Sequence, residues 1–419
     1  MSGEDEAGEG VDLPEARGVL RRTANKNQLM RSNQSATSTW FWEVDRVLLL
    51  LVLLLIAVGL VAVAAASPVS ARRYSEGAHQ VPQLYYFWRQ LIWVGVSVPV
   101  MIIVSMLPVT LARRMSLIGA GIFLVMLVLV LIFGAEVNGA KRWINLGFSD
   151  LQPSEFLKPL FIVSTAWILS FRARDEQLPM TLMLLVTGGL TGLVGVLLML
   201  QPDFGQTIVF GTVWIVLLVV SGISPAMIGT LMGTAMAGVV SAYFLYDTAR
   251  TRIDSFLFPD KAKALAEHYQ TDMAEKTLKS GGLFGTGPGS GQTKFRLPEA
   301  HTDYIFSVIG EEFGLLACAA IACLYVAIIA RVLFKLFDEE DAFRLLAATG
   351  LAAQFGIQAV INMAVNTGLA PSKGMTLPFI SYGGSSMVAL SIGMGLLLAF
   401  TRRNPYLKRS PYIVRWSGT

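Results

Sequence analysis

Leu297–Gly314 reads LPEAHTDYIFSVIGEEFG. A polar run carrying His301, Thr302 and Asp303 passes directly into an apolar segment, with Glu311 and Glu312 a few turns further on. Ionisable side chains at the mouth of a membrane span are costly to keep there, so this stretch is a functional candidate in its own right. The rest of the chain reads as a scaffold that holds this mouth open to an amphipathic ligand.

Composition agrees with a lipid solvent. Of 419 residues, 54% are hydrophobic and 15% charged, against about 25% charged in soluble domains. Mean hydropathy is +0.58. The net charge of +4 is small and dispersed, which argues against nucleic acid and fits membrane topology signals. Cys318 and Cys323 both lie in an apolar run, so neither a disulfide framework nor a zinc site is expected.

Outward from 297–314, ten apolar segments lie near 47–66, 91–107, 117–133, 156–170, 181–200, 205–221, 225–246, 304–333, 345–366 and 385–401. Each approaches the ~20 residues that cross a bilayer as helix. The expected fold is an all-α polytopic membrane protein with ten transmembrane helices. Residues 1–46 form a polar, mostly disordered cytoplasmic tail. Residues 47–404 form the membrane domain, and 405–419 a cytoplasmic C-terminal tail. The first apolar segment begins too late, after too acidic a run, to be a signal peptide. Arg113, Arg114, Arg172, Arg174, Arg331, Lys335, Arg344, Arg402, Arg403, Lys408 and Arg409 fall on one face, against Arg72, Arg73, Lys141, Arg142 and Lys373 on the other. The first face is then cytoplasmic and holds both termini.

Three loops lie on the opposite face: 134–155, 247–303 and 368–384. The long extracytoplasmic loop 247–303 should contain a short surface helix over 259–279, started by Pro259. The glycine-rich turn 281–291 lacks the lysine of a phosphate-binding loop and reads as a flexible hinge placing Asp303. On such a hinge, activity should depend on contact with a partner that orders the loop.

Several side chains stand out. Asp303 reads equally as an N-cap for the following span or as a functional acid. Asp203, in QPDFG, reads first as an N-cap. Glu155 and Lys158 share one helix face at i, i+3 and read as a structural clamp. Gln354, Gln358, Asn362 and Asn366 recur every four residues. That stripe must face other helices or a wet cavity, as interhelical glue or as a substrate path. Lys141, Arg142 and Lys373, beside Trp143 and Tyr382, would bind an anionic headgroup or snorkel at the interface.

Together, KRWINLG…QPSEFLK, QPDFG, GGLFGTGPG, LPEAHTDYIFSVIGEEFG and PSKGMTLPFISYGGSS resemble the SEDS family (shape, elongation, division and sporulation), which includes FtsW and RodA. The likeness runs in order over about 47–401, and VNGAKRWINLG and PSKGMTLP look more like the FtsW branch. The resemblance implies a peptidoglycan glycosyltransferase of the bacterial cytoplasmic (inner) membrane, acting at the division septum on lipid II. It implies a class B penicillin-binding protein (FtsI) as crosslinking partner, with the divisome membrane proteins FtsQ, FtsL, FtsB and FtsN nearby. Asp303 matches the family's essential aspartate, and Glu155 and Lys158 its ion pair. Lys141, Arg142, Trp143, Gln152, Ser154, His301, Lys373, Ser381 and Tyr382 are the expected substrate-binding residues. No organic cofactor is expected, and a divalent cation, Mg or Mn, is compatible with the chemistry.

That chemistry needs a base for an attacking sugar hydroxyl and positive charge for a departing diphosphate. Asp303 would be the base, with Lys141, Arg142 and Lys373 beside the leaving group. The competing readings are a lipid II flippase, which would use the amide stripe as its path, and a divisome scaffold without activity.

Overall fold

The computed structural model describes residues 36–75, 80–137, 140–145, 147, 150–172, 179–247, 250, 253–254, 265–371 and 374–402. Lys373 and Arg174 therefore lie outside the described residues, as do 1–35 and 403–419. A short helix, α1 (Ala36–Glu43), belongs to a small separate unit; the main body is Asp45–Arg402.

The body contains helices α2 (Arg46–Arg73), α3 (Tyr85–Met106), α4 (Val109–Phe133), α5 (Pro153–Ser170), α6 (Met180–Leu200), α7 (Phe204–Val220) and α8 (Pro225–Leu245). They are followed by α9 (Leu265–Ser280), α10 (Ile305–Leu336), α11 (Ala342–Asn366) and α12 (Gly384–Phe400). All ten apolar segments are helical. Among the described residues, seven helices (α2, α3, α4, α6, α8, α10 and α11) are long and apolar enough to cross a membrane. Helices α7 and α12 are apolar but shorter, and α5 carries Glu155 and Lys158 in its first turns.

The fold is not purely helical. Three short strands, β1 (Ala135–Val137), β2 (Ala140–Asn145) and β3 (Asp150–Leu151), pair antiparallel in the order β1-β2-β3 between α4 and α5. Strand β2 (AKRWIN) places Lys141 opposite Glu136 and Trp143 opposite Ala135.

Lipid-facing helices need no apolar core, yet α5 is buried along nearly its whole length. It lies against α4, α7, α11 and α12 and is the axis of the body. Helix α10 packs between α2, α11 and α9. At one end of the body Asp45 caps α2, accepting from the Val47 and Leu48 amides. It also pairs with Arg331 at 2.9 Å and Lys335 at 3.0 Å from the far end of α10. The strand hairpin, α9 and the glycine-rich turn gather instead around the Asp303 end of α10.

Helix α10 is broken at Gly314 (φ 83°, ψ 176°). The glycine-rich turn is bolted onto this break. Thr286 N–H and Gly287 N–H donate to the carbonyls of Glu311 and Glu312, and Leu315 N–H donates to Gly282 O. A Cβ on Gly314 would sit 2.4 Å from Gly285 N, and one on Gly285 2.2 Å from Glu312 O. Both glycines also hold positive φ. The turn expected to be a hinge is instead a backbone-to-backbone clamp, and its glycines serve close approach. Helix α9 begins at 265, with 255–264 outside the described residues. It is not simply a surface helix: Ala274 and Thr277 are fully buried, and α9 lies against α10 and α11.

Candidate active site

Asp303 sits on the turn joining the glycine-rich clamp to α10, just before the helix begins. Every carbonyl of the preceding three-residue turn is held. His301 O accepts from Tyr382 N at 2.9 Å, and Thr302 O from Ser381 Oγ at 2.6 Å. Asp303 O accepts from both Asn362 Nδ2 at 2.9 Å and Asn366 Nδ2 at 3.0 Å. Asp303 thus precedes α10 but does not cap it with its side chain; Tyr304 holds the N-cap position without a side-chain capping bond.

The carboxylate is half-buried and faces Gly374, where an added Cβ would lie 3.6 Å from Oδ2. Burial raises its pKa to about 7; Glu299 and Asp203 add to the rise, and Arg142 opposes it. A carboxyl group balanced near neutrality fits a proton acceptor.

Beside it is a wall of rings. His301 is buried against Tyr86 (4.5 Å between centroids), Tyr382 (5.3 Å) and Tyr74 (6.3 Å). Its Nδ1 lies 2.7 Å from Ser70 Oγ. Burial depresses its pKa to about 4, against the pull of Glu299, so the imidazole is neutral at neutral pH. Glu299 accepts from Tyr74 Oη at 2.9 Å and Thr302 Oγ1 at 3.0 Å. Tyr74 stays 47% exposed, leaving an open aromatic and carboxylate face next to Asp303.

The expected cations separate. Arg142 is half-buried, and its guanidinium donates to Gln201 O at 2.9 Å and to Pro202 O. It fastens the hairpin to the α6–α7 turn while remaining near Asp303. Lys141 is exposed on β2, and Trp143 is half-buried there. Asp203 caps α7, accepting from Gln206 N at 3.3 Å; burial raises its pKa against the opposing charge of Arg142. Gln152 immediately precedes α5, its backbone amide bonded to Ser385 Oγ at 3.0 Å, and Ser154 is buried in the first turn.

Glu155 and Lys158 form an ion pair at 2.8 Å, 5% and 1% exposed. Gln206 Nε2 donates to Glu155 at 2.8 Å and Lys158 Nζ to Gln358 at 3.4 Å. Gln358 and Asn362 in turn donate to Thr376 O and Met375 O. Three of the four stripe amides thus tie α11 to the 374–382 loop and the Asp303 turn.

Sequence reading marked Glu311 and Glu312 but not Lys294, which pairs with Glu312. Lys294 is buried and bonded to Ala65 O at 3.1 Å. Glu311 accepts from the Thr293 and Lys294 amides at 2.7 and 2.9 Å. The signal was the pair of acids Glu311 and Glu312, but their cation lies far off in sequence. Among the described residues, no three His, Cys, Asp or Glu side chains gather as a metal-holding group.

The family model described as a cell cycle protein, that of FtsW, RodA and SpoVE, matches residues 45–406. A probable peptidoglycan glycosyltransferase FtsW of Caulobacter vibrioides is 37% identical, over 90% of this chain and 93% of its own length. One from Coxiella burnetii is 35% identical over 88% and 99%. Among solved structures, a chain from a study of polymerisation and crosslinking by a peptidoglycan synthase complex aligns with TM-score 0.67 and 28% identity, covering 85% of this chain and 97% of that one. The rod shape determining protein RodA of Thermus thermophilus aligns with TM-score 0.63 and 26% identity, covering 85% and 96%. The chain belongs to the FtsW, RodA and SpoVE family.

Proposed function

We propose that this FtsW, RodA and SpoVE family member is a peptidoglycan glycosyltransferase that polymerises lipid II, with Asp303 as general base. The supporting observation is the Asp303 carboxylate itself: anchored through its backbone, desolvated, and set beside an open tyrosine and glutamate wall where a membrane span ends. Asp303 removes the proton from the acceptor hydroxyl as its oxygen attacks the anomeric carbon of the donor disaccharide. The new glycosidic bond forms as the bond to the diphosphate breaks. Positive charge at Arg142, Lys141 and Lys373 stabilises the departing undecaprenyl diphosphate. Tyr74, Tyr86 and Tyr382 provide apolar faces with polar edges against which sugar rings can lie. Mg²⁺ or Mn²⁺, if used, would be carried mainly by the diphosphate oxygens, as Mg²⁺ commonly is.

In this reading ten helices cross the inner membrane, the Asp303 end faces outward and both termini are cytoplasmic. The partner is a class B penicillin-binding protein that crosslinks the product at the septum. The solved relative from a polymerising and crosslinking complex supports such a pairing. A transport path along the amide stripe has less support, because Gln358, Asn362 and Asn366 are committed to protein partners.

The test is polymerisation of purified lipid II in detergent, where no two sides exist to flip between. Asp303→Asn should lower glycan formation by about 10²- to 10⁴-fold at unchanged expression. Near-normal product from the variant overturns the role of Asp303. No product from the native chain with its partner favours transport or scaffolding.

A further inference from the structure

Two amide side chains from successive turns of α11 converge on one carbonyl, that of Asp303. We infer that Asn362 and Asn366 are positioning residues for Asp303, a pair of donors that locks the backbone of the acid-bearing residue and so fixes where its carboxylate lies. The inference rests on the reading of Asp303 as the base.

The geometry goes beyond what packing α10 on α11 requires. Asn366 is completely buried and Asn362 2% exposed, so each amide must find partners or destabilise the fold. Asn366 satisfies both ends at the turn. Its Nδ2 donates to Asp303 O, while its Oδ1 accepts from Ser307 N at 3.1 Å and Ser307 Oγ at 2.8 Å in the first turn of α10. Asn362 Nδ2 bridges Asp303 O and Met375 O, next to Gly374, the residue facing the carboxylate. Asn362 therefore ties the acid's backbone to its opposite wall, while Asn366 ties it to the first turn of α10. A carbonyl with two lone pairs accepts two such bonds, and this saturation removes the turn's freedom to tilt. Catalytic groups displaced by about 1 Å can lose about 10²-fold in rate.

Among the described residues, the charged groups acting on the carboxylate are Glu299, Asp203 and Arg142. None is on α11, so substitutions there leave the local charge unchanged. Releasing the turn admits water, and the carboxyl should then titrate closer to an ordinary aspartate.

The experiment uses the full chain with its crosslinking partner and compares Asn362→Leu and Asn366→Leu with the native protein. Protonation of Asp303 is read directly, as the pH midpoint of labelling by a hydrophobic carbodiimide, located by mass spectrometry. Lipid II polymerisation gives kcat and KM. The expected result is a midpoint lower by about one pH unit and kcat lower by about 10- to 100-fold with KM little changed. The change should be smaller for Asn362→Leu, which leaves Asn366 holding both Asp303 O and Ser307 in the first turn of α10. If Asn366→Leu does not fold, Asn362→Leu alone carries the test. A folded variant with native midpoint and native kcat overturns the inference. A shifted midpoint, in a protein whose Asp303→Asn variant still polymerises, sinks the base reading and leaves the positioning intact.

Discussion

Asp303 binds its proton more tightly in the fold than in the unfolded chain, because burial penalises its charge. A base must be ionised to act, so the polymerisation rate should climb with pH through about 7 and level off above. A pH–rate profile checks this; an acid limb near the ordinary aspartate value of about 4 would contradict it. The stability sign is opposite. Between the unfolded value near 4 and the folded value, the native state holds more protons, so stability falls as pH rises. Asp303→Asn should therefore raise the thermal midpoint at pH 8 and leave it nearly unchanged at pH 4. The Glu155–Lys158 pair behaves differently, since both partners are buried and mutually neutralising. Lys158→Met strands a carboxylate in the protein interior at a cost of about 3–5 kcal/mol. Glu155→Gln with Lys158→Met should recover most of it, because no lone charge remains. Thermal inactivation in detergent of the single and double variants separates the cases. Part of the arrangement was legible: the i, i+3 spacing of Glu155 and Lys158 gives the ion pair, and three amides of the stripe find protein partners, as interhelical glue would. Tyr74 and Tyr86 were not singled out, because only folding brings the ends of α2 and α3 against residue 301.

At the scale of elements, the clamp between the glycine-rich turn and the α10 break makes a sharp demand. Gly314 and Gly285 meet backbone, not yielding side chains. Gly314→Ala must open the turn or straighten α10, and either movement displaces Asp303. We expect loss of polymerisation together with a lower thermal midpoint. Gly121→Ala in α4, where an added Cβ meets nothing within 4 Å, should be neutral or stabilising by up to about 1 kcal/mol. Equal behaviour of the two variants would mean that the clamp does not matter. The helices were readable from hydrophobicity, their bounds falling within a few residues for most segments. The apolar run 47–66 continues as helix to Arg73 through small residues, and 117–133 begins earlier, at Val109, through a more polar turn. Hydropathy marks lipid contact, and a helix can outrun it at either end. The hairpin was missed although Asn138–Gly139 between β1 and β2 is a strong hairpin signal, because strands this short carry little periodicity. The glycine-rich turn was misread because one sequence of glycines serves either freedom or contact. Only the facing backbone of Glu311, Glu312 and Gly314 decides for contact.

The whole molecule has two unlike ends. One carries the Asp45, Arg331 and Lys335 network; the other carries the hairpin, α9, the clamp and the Asp303 turn. Positive charge alone separates them weakly, since Arg72, Arg73, Lys141 and Arg142 lie at the Asp303 end. Several of these are engaged by the fold: Arg142 by turn carbonyls and Arg72 over the Phe295 ring at 5.7 Å. A basic residue held in this way says less about orientation than a free one. The geometry of α10 gives a firmer argument. From Gly314 to Leu336 it runs about 22 residues, or about 33 Å, enough for one crossing of a hydrocarbon core of about 30 Å. In the proposed arrangement the segment before the break leads from that crossing to the clamp and the Asp303 turn at the outer surface. Ser290 and Glu340, both exposed and on either side of this helix, should therefore report opposite compartments. In a background with Cys318 and Cys323 replaced, Ser290→Cys should react with a membrane-impermeant maleimide in spheroplasts, and Glu340→Cys only after lysis. The reverse pattern would place the Asp303 turn in the cytoplasm, where no exported lipid-linked disaccharide could reach it. Labelling of both in sealed cells would mean that α10 does not cross, and the ten-span arrangement would fall with it.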